Sequence, residues 1–285
     1  MVLLSSKIIS YGPQKRQVFK HYRLETSRSE YSLVCIHGGA WRDPNNTYAD
    51  YDILVSKIDK GLDELSGTKN DVLDVYSIDY RLSPEAKHPD HLMDILAALR
   101  AIHQKDSKPL VVIGHSVGAT LLLQSLTYDS LLPLNETSTP HDSSKEVLTT
   151  SLIQNWSNEL PTIKIAILAD GIFNVQAMLE EYPSYISFVS GAFKSKSDWE
   201  TKSTCLVTSL SKASKQTLDS LKKIIIVHST QDELLSLQQP NLFLDWVRAN
   251  TDTTVATIYE DIGDHENVYR SQRLAKITSE ALISE

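Results

Sequence analysis

Cysteine is scarce in this sequence, which has only Cys35 and Cys205 among its 285 residues. Two cysteines cannot build a disulfide framework, and their spacing matches no metal-binding motif. Cys35 lies in an apolar run, where we expect it to act as a small buried hydrophobic residue. The scarcity of cysteine favours a reducing compartment, so we expect a cytoplasmic protein.

Signals for membranes and export are also lacking. No segment approaches about 18 uninterrupted apolar residues, so no membrane-spanning helix is expected. The amino-terminal stretch has no leading positive charges and is interrupted by Lys7, so no signal peptide is expected.

Positive charge is in deficit, because Lys and Arg number 28 against 36 Asp and Glu, a net charge of −8. Such a balance disfavours nucleic acid and anionic membranes as partners. The sequence contains neither a G-x-x-x-x-G-K-S/T loop nor a G-x-G-x-x-G fingerprint, which argues against nucleoside triphosphates and dinucleotides. We therefore expect a small-molecule substrate and no cofactor.

Short β-branched runs alternate with segments of helical periodicity along the chain. This alternation predicts an α/β fold with a mostly parallel central sheet flanked by helices. The predicted strands span 31–36, 72–78, 110–113, 163–168, 224–228 and 255–259, and the predicted helices lie near 50–60, 90–104, 117–127, 238–249 and 266–282. A more polar run at 18–24 predicts an additional edge strand.

Two segments interrupt this alternation. Residues 130–160 are rich in Ser, Thr, Asn and Pro, which predicts a polar excursion from the core. Residues 173–221 carry aromatic side chains among Ser and Lys, which predicts a helical cap over an active site. No linker is long enough to separate independent domains, so residues 1–285 are expected to form a single domain.

A G-x-S-x-G motif, GHSVG at 114–118, follows the predicted strand at 110–113. A helical segment comes next, so the motif has the strand-turn-helix context of a nucleophile elbow. Gly114 and Gly118 leave room for a tight turn that presents the Ser116 hydroxyl at the carboxyl end of the sheet. The pattern predicts that Ser116 is a nucleophile.

A second glycine-rich motif follows the strand predicted at 31–36, and it consists of His37, Gly38, Gly39, Ala40 and Trp41. Hydrolases of this architecture use the backbone amides of such a loop to bind the oxyanion of a tetrahedral intermediate. We expect the donors to be the amides of Gly38, Gly39 and Val117. The alternative is a Gly-Gly turn that only ends a strand.

A nucleophilic serine needs a base that is oriented by a carboxylate, and in this fold the chain order is serine, acid, histidine. His265 follows the last predicted strand and is the expected base, whereas His228 is expected to be structural. Asp232 follows the penultimate strand and is the expected acid, with Glu233 as the alternative.

Together these motifs resemble the α/β-hydrolase superfamily and, within it, the fungal kynurenine formamidases. The similar segments are IHGGAWRDP at 36–44, DYRLSPE at 79–85, GHSVGAT at 114–120, DGI at 170–172, DELL at 232–235 and DHENVY at 264–269. The resemblance implies hydrolysis of N-formyl-L-kynurenine to L-kynurenine and formate in tryptophan degradation, which can feed NAD synthesis. It implies Ser116 as nucleophile, Asp232 as acid and His265 as base, with a formyl-serine intermediate.

The resemblance also suggests substrate contacts. Trp41, Tyr48 or aromatic residues of 173–199 are expected to stack on the substrate ring, with core packing as the alternative. Arg81 is expected to meet the substrate carboxylate, with a structural ion pair as the alternative. The His-x-Gly-x-His zinc motif of metal-dependent bacterial formamidases is absent, so no metal is implied.

Two other functions stay open at this point. A general short-chain carboxylesterase would use the same apparatus, and a non-catalytic relative would bind a ligand without turnover. A homodimer is compatible with the sequence.

Overall fold

Eight strands form one central sheet in the computed structural model, which describes residues 3–26, 30–63, 71–132, 159–202, 207 and 209–283. The strands are β1 (Leu3–Ser10), β2 (Val18–Thr26), β3 (Ser32–Ile36), β4 (Asp71–Ile78), β5 (Leu110–His115), β6 (Ile163–Ala169), β7 (Lys223–Ser229) and β8 (Val255–Glu260). Their order in the sheet is β1-β2-β4-β3-β5-β6-β7-β8. β2 pairs antiparallel with β1 and β4, and the other pairings are parallel.

The described α-helices lie between these strands or after β8, on both faces of the sheet. They are α1 (Asp52–Asp63), α2 (Asp90–His103), α3 (Val117–Leu126), α4 (Tyr128–Leu131), α5 (Val175–Glu181), α6 (Ile186–Ala192), α7 (Lys212–Asp219), α8 (Gln238–Asn250), α9 (His265–Val268) and α10 (Gln272–Ile283). No helix among the described residues is both long enough and apolar enough to cross a membrane.

Side-chain alternation along the inner strands builds a core on each face of the sheet. In β3, Val34 and Ile36 join the hydrophobic cluster on one face, whereas Leu33 and Cys35 join the cluster on the other. A strand buried on both faces reads as a continuous apolar run, which is why β3 could be predicted. Cys35 is fully buried, as expected, and burial raises the pKa of its thiol.

The predicted α/β fold is confirmed, and the six principal predicted strands correspond to β3–β8. The predicted edge strand at 18–24 is present as β2 but is not at the edge, because β1 pairs along its outer side. β1 itself was not predicted. Most of its residues are exposed, so it lacks the apolar signature of a buried strand.

The last predicted helix and the predicted polar excursion have different outcomes. The helix predicted at 266–282 is divided into α9 and α10. Ser271 lies between them and caps α10, because its hydroxyl accepts a hydrogen bond from the Leu274 amide at 3.0 Å. Residues 133–158, most of the predicted polar excursion, lie outside the described residues.

A helical cap lies between β6 and β7, over the carboxyl end of the sheet. Met178 of α5 is buried in one cluster with Trp41 of the glycine-rich loop, so the cap packs directly on that loop. Leu218 of α7 instead packs in the main core. The segment predicted as a cap, 173–221, thus also includes residues of the main core, and we use "cap" for residues 174–202.

Candidate active site

Ser116 occupies a strained turn between β5 and α3. Its φ and ψ are 55° and −124°, a left-handed conformation that is uncommon outside glycine and that recurs at functional sites. A Cβ at Gly118 would lie 2.1 Å from the carbonyl oxygen of Ile36, and a Cβ at Gly114 would lie 2.3 Å from that of Gly118. Both positions require glycine, because the turn passes directly against neighbouring backbone.

The glycine-rich loop lies against this turn. A Cβ at Gly38 would lie only 3.0 Å from the Ser116 Cβ, so the absence of a side chain lets the loop approach the serine. The amides of Gly38 and Gly39 donate to no acceptor among the described residues. Val117 is the first residue of α3, so its amide has no acceptor within the helix. These are the three amides expected to form the oxyanion hole.

Buried hydrogen bonds and ring stacking hold the glycine-rich loop in place. The Tyr80 hydroxyl lies 3.0 Å from the carbonyl oxygens of both His37 and Gly38, and its ring stacks on the His37 ring with centroids 4.4 Å apart. His37 Nε2 lies 3.2 Å from Asp79 Oδ1, which also accepts from Arg16 Nε at 2.9 Å. Arg16 follows β1, so the amino-terminal hairpin helps to position the loop.

The expected base and acid are in direct contact. His265 Nδ1 donates to Asp232 Oδ2 over 2.7 Å, which leaves His265 Nε2 available for proton transfer. Asp232 Oδ1 accepts from the amides of Leu234 and Leu235 at 2.8 and 2.9 Å. Glu233 Oε2 accepts from the His265 amide at 2.9 Å and therefore holds the backbone of the histidine, not its ring.

The pKa shifts of the pair follow from this contact. Burial lowers the pKa of His265, but the hydrogen bond to Asp232 and its negative charge outweigh burial and raise it above 6.5. Burial raises the pKa of Asp232, but the hydrogen bond and charge of His265 outweigh it and lower that pKa below 3.8. Each partner stabilises the charged form of the other.

Asp170 lies buried behind this pair and was not selected from the sequence. Its Oδ1 accepts from the Ser229 amide at 2.8 Å, whereas its Oδ2 has no hydrogen-bond partner among the described residues. Burial, reinforced by the charge of Asp232, raises the pKa of Asp170 to about 7. Its position directly after β6, at the same sheet edge as Ser116, is the signal that could have identified it.

Two buried histidines complete the surroundings. His115 Nε2 donates to the carbonyl oxygen of His265 at 3.1 Å, and His228 Nε2 donates to that of Leu235 at 3.0 Å. Burial lowers the pKa of both rings, so both are neutral donors that hold the loops. The His228 contact is consistent with the structural role expected for it.

Among the described residues, two sets of side chains have donor atoms close enough for a metal ion. One comprises His115, Asp170 and His265, the other Asp170, His228 and Asp232, and within each set the donor atoms lie within 4.8 Å of one another. Each set includes one member of the 2.7 Å His265–Asp232 hydrogen bond. A metal ion at either set would therefore share one residue with that hydrogen bond.

A cavity of about 410 Å³ opens beside Ser116 and His265. The rest of its wall comes from the loops that follow β3, β6 and β7 and from the cap, and comprises Ala40, Arg42, Ile172, Ser184, Tyr185, Ser187, Phe188, Leu234 and Leu235. A mostly apolar wall with a few polar groups is typical of sites for small molecules.

Trp41, Tyr48 and Arg81 are not among the described residues that line this cavity, whereas Tyr185 and Phe188, aromatic residues of the expected segment 173–199, are. Trp41 is buried and packs edge-on against Phe193, with ring centroids 5.3 Å apart. Tyr48 lies in the short 3₁₀ helix before α1. Arg81 forms a bidentate ion pair with Asp94, at 2.7 Å from Nη2 to Oδ1 and 2.9 Å from Nε to Oδ2. The structural alternatives therefore describe Trp41 and Arg81.

Known proteins are similar to this chain in fold and in sequence. Residues 33–237 match the family described as the alpha/beta hydrolase fold. A truncated carbohydrate esterase from gut microbiota superposes with a TM-score of 0.68 over 98% of this chain and 95% of its own, at 16% identity. The fold thus defines an α/β-hydrolase.

Sequence similarity identifies the family within the α/β-hydrolases to which the chain belongs. The kynurenine formamidase of Scheffersomyces stipitis is 38% identical, over 96% of this chain and 98% of its own length. That of Meyerozyma guilliermondii is 36% identical, over 98% and 94%. The chain belongs to the fungal kynurenine formamidase family.

Proposed function

We propose that this chain is a serine hydrolase that converts N-formyl-L-kynurenine to L-kynurenine and formate. The observation that carries the proposal is its nearly full-length similarity to fungal formamidases. The geometry supports it, because Ser116 and His265 face one cavity and Asp232 orients His265.

Acylation begins when Ser116 Oγ attacks the formyl carbon while His265 Nε2 takes the hydroxyl proton. The negative charge on the formyl oxygen is stabilised by the amides of Gly38, Gly39 and Val117. Asp232 stabilises the imidazolium form of His265. The protonated histidine then gives its proton to the aryl nitrogen, the C–N bond breaks, and L-kynurenine leaves a formyl-serine behind.

Deacylation repeats these steps with water as the nucleophile. His265 removes a proton from water, the hydroxide adds to the formyl carbon, and the same amides hold the second oxyanion. Collapse breaks the bond to Ser116 Oγ, which recovers its proton from His265, and formate is released. The arylamine is a better leaving group than an alkylamine, because the ring delocalises the electron pair on nitrogen.

Activity is expected to fall in acid as His265 becomes protonated. Because a base must be neutral to accept a proton, and because the pKa of His265 is raised above 6.5, the acid limb of a kcat/KM profile should have its midpoint above pH 6.5. Measurement between about pH 5 and pH 9 checks this. A profile that stays flat below pH 6 would contradict the role of His265.

Chelation is expected to leave turnover unchanged, because the serine, the base and the backbone amides supply all the required groups. The test is incubation with EDTA, dialysis into metal-free buffer and assay with and without added Zn²⁺. Loss of activity that Zn²⁺ restores would instead assign a catalytic metal to one of the two donor sets around Asp170.

The decisive experiment is the assay of the purified protein with N-formyl-L-kynurenine, following L-kynurenine by its absorbance. A short-chain aryl ester is assayed in parallel. We expect kcat/KM for the formamide to exceed that for the ester. Ester turnover alone would make the protein a general carboxylesterase, and inactivity on both would favour a non-catalytic relative.

The proposal includes a cytoplasmic location without nucleic-acid or membrane partners. The net charge of −8 and the presence of only two cysteines support it. Fluorescence microscopy of the tagged protein in a fungal cell checks the location.

A further inference from the structure

Arg42 brings a positive charge to the wall of the catalytic cavity. It lines the cavity together with Ser116 and His265, and its guanidinium carbon lies 5.6 Å from the centroid of the Phe188 ring, which belongs to the same wall. Among the described residues of this wall, Arg42 is the only lysine or arginine. It was not selected from the sequence.

The backbone that carries Arg42 is fixed relative to the nucleophile. The Arg42 amide donates to the Gly39 carbonyl at 2.9 Å, and the preceding residue, Trp41, is buried and accepts from the Ser83 amide at 2.8 Å. Ala40 and Trp41 both have left-handed φ values, of 49° and 58°. Such strain persists only where the surroundings enforce it, and here it directs the chain past Ser116.

Within the described residues, Arg42 differs from the neighbouring arginines in having no acidic partner. Arg16 pairs with Asp79 at 2.8 Å and Arg81 pairs with Asp94 at 2.7 Å. Arg42 forms no ion pair within the described part of the chain, although acidic residues outnumber basic ones overall. Its planar guanidinium remains free to bind a carboxylate in a bidentate manner.

The rest of the wall suits an aromatic ring. Phe188 and Ile172 are buried apolar residues of the wall, and the Tyr185 hydroxyl donates to the Leu234 carbonyl at 3.0 Å, which fixes the tyrosine ring. A ligand that presents an aryl group to this surface and an anion to Arg42 would match both parts of the cavity.

We propose that Arg42 binds the α-carboxylate of the substrate and thereby determines specificity for formamides that carry an amino acid. This inference rests on the proposed function, because the formamide of that reaction joins an aryl ring to an α-amino acid. It assigns to Arg42 the carboxylate contact that the sequence alone had suggested for Arg81.

The test compares two formamides that differ only in the charged part. One is N-formyl-L-kynurenine, and the other is 2-formamidoacetophenone, which keeps the aryl ketone and lacks the amino acid. The measured quantity is the ratio of their kcat/KM values, for the wild type, Arg42→Met and Arg42→Lys. Arg23→Met serves as a matched control, because Arg23 is a half-exposed arginine on β2.

We expect Arg42→Met to lower this ratio by about 10- to 100-fold, mainly through KM, since a hydrogen bond to a charged group is lost. Arg42→Lys should restore part of the ratio that Arg42→Met loses. The lysine ammonium keeps the positive charge but cannot form the two parallel hydrogen bonds of a planar guanidinium. Arg23→Met should leave the ratio unchanged.

The contrary results are distinct. An unchanged ratio in Arg42→Met, whether both rates fall together or neither falls, would overturn the assignment of Arg42 while leaving the proposed reaction intact. Failure of the wild type to cleave N-formyl-L-kynurenine would instead refute the proposed function itself.

Discussion

Replacing Ser116 by alanine is expected to lower kcat for N-formyl-L-kynurenine by on the order of 10⁶-fold, because no formyl-enzyme can form. The fold should persist. Alanine has the same Cβ as serine, so the backbone conformation at φ 55° is no more strained than before. The unfolding free energy should change by less than about 1 kcal/mol, and Tm by at most roughly 3 °C.

Ser125→Ala is the matched control for this variant. Ser125 lies on α3, the helix that follows Ser116, is buried, and donates its hydroxyl to the Leu122 carbonyl at 2.6 Å, so the variant removes a nearby serine hydroxyl that does not line the catalytic cavity. Steady-state kinetics and thermal melts of both variants are compared. If Ser116→Ala kept more than about a tenth of the wild-type kcat, another group would be the nucleophile.

Replacing Asp232 by asparagine is expected to lower kcat by about 10⁴-fold. The amide can no longer stabilise the imidazolium form, and its NH₂ group can hold His265 in the tautomer that lacks a free acceptor at Nε2. The raised pKa of His265 depends on Asp232, so the acid limb of the remaining activity should move to lower pH. A kcat/KM profile across pH measures both effects.

Two further variants distinguish Asp232 from nearby carboxylates. Asp261→Asn changes an exposed aspartate in the loop between β8 and His265. Its Oδ1 accepts from the Gly263 amide at 3.1 Å, and the variant should be nearly silent. Glu233→Gln alters the group that holds the His265 amide and should cost less than Asp232→Asn. If Glu233→Gln caused the larger loss, the acid would be misassigned.

The inner strands could be predicted because each is buried on both sides. β3 and β5 are continuous apolar runs, and the chemistry-bearing loops follow them directly. β1 could not be predicted by the same reasoning, because its residues are mostly exposed and its pairing with β2 supplies the only reason for the strand. The pattern of apolar residues therefore predicts buried strands better than it predicts exposed strands that are held by backbone hydrogen bonds.

The chemical centre was more predictable than the substrate contacts. Ser116, Asp232 and His265 each follow a strand, so chain order and sheet edge suffice to place them together. The choice between Arg42 and Arg81 depends instead on which guanidinium finds a carboxylate within the protein. Asp94 on α2 pairs with Arg81, and only the three-dimensional arrangement of α2 reveals that.

The cap allows the substrate selectivity of this enzyme to change separately from its reacting groups. Ser184, Tyr185, Ser187 and Phe188 supply one side of the cavity from a short insertion between β6 and β7, whereas the reacting groups are anchored at the strand ends. Substitutions in those few cap residues would therefore leave the positions of Ser116, Asp232 and His265 unchanged. Such substitutions would change which leaving group the cavity accepts.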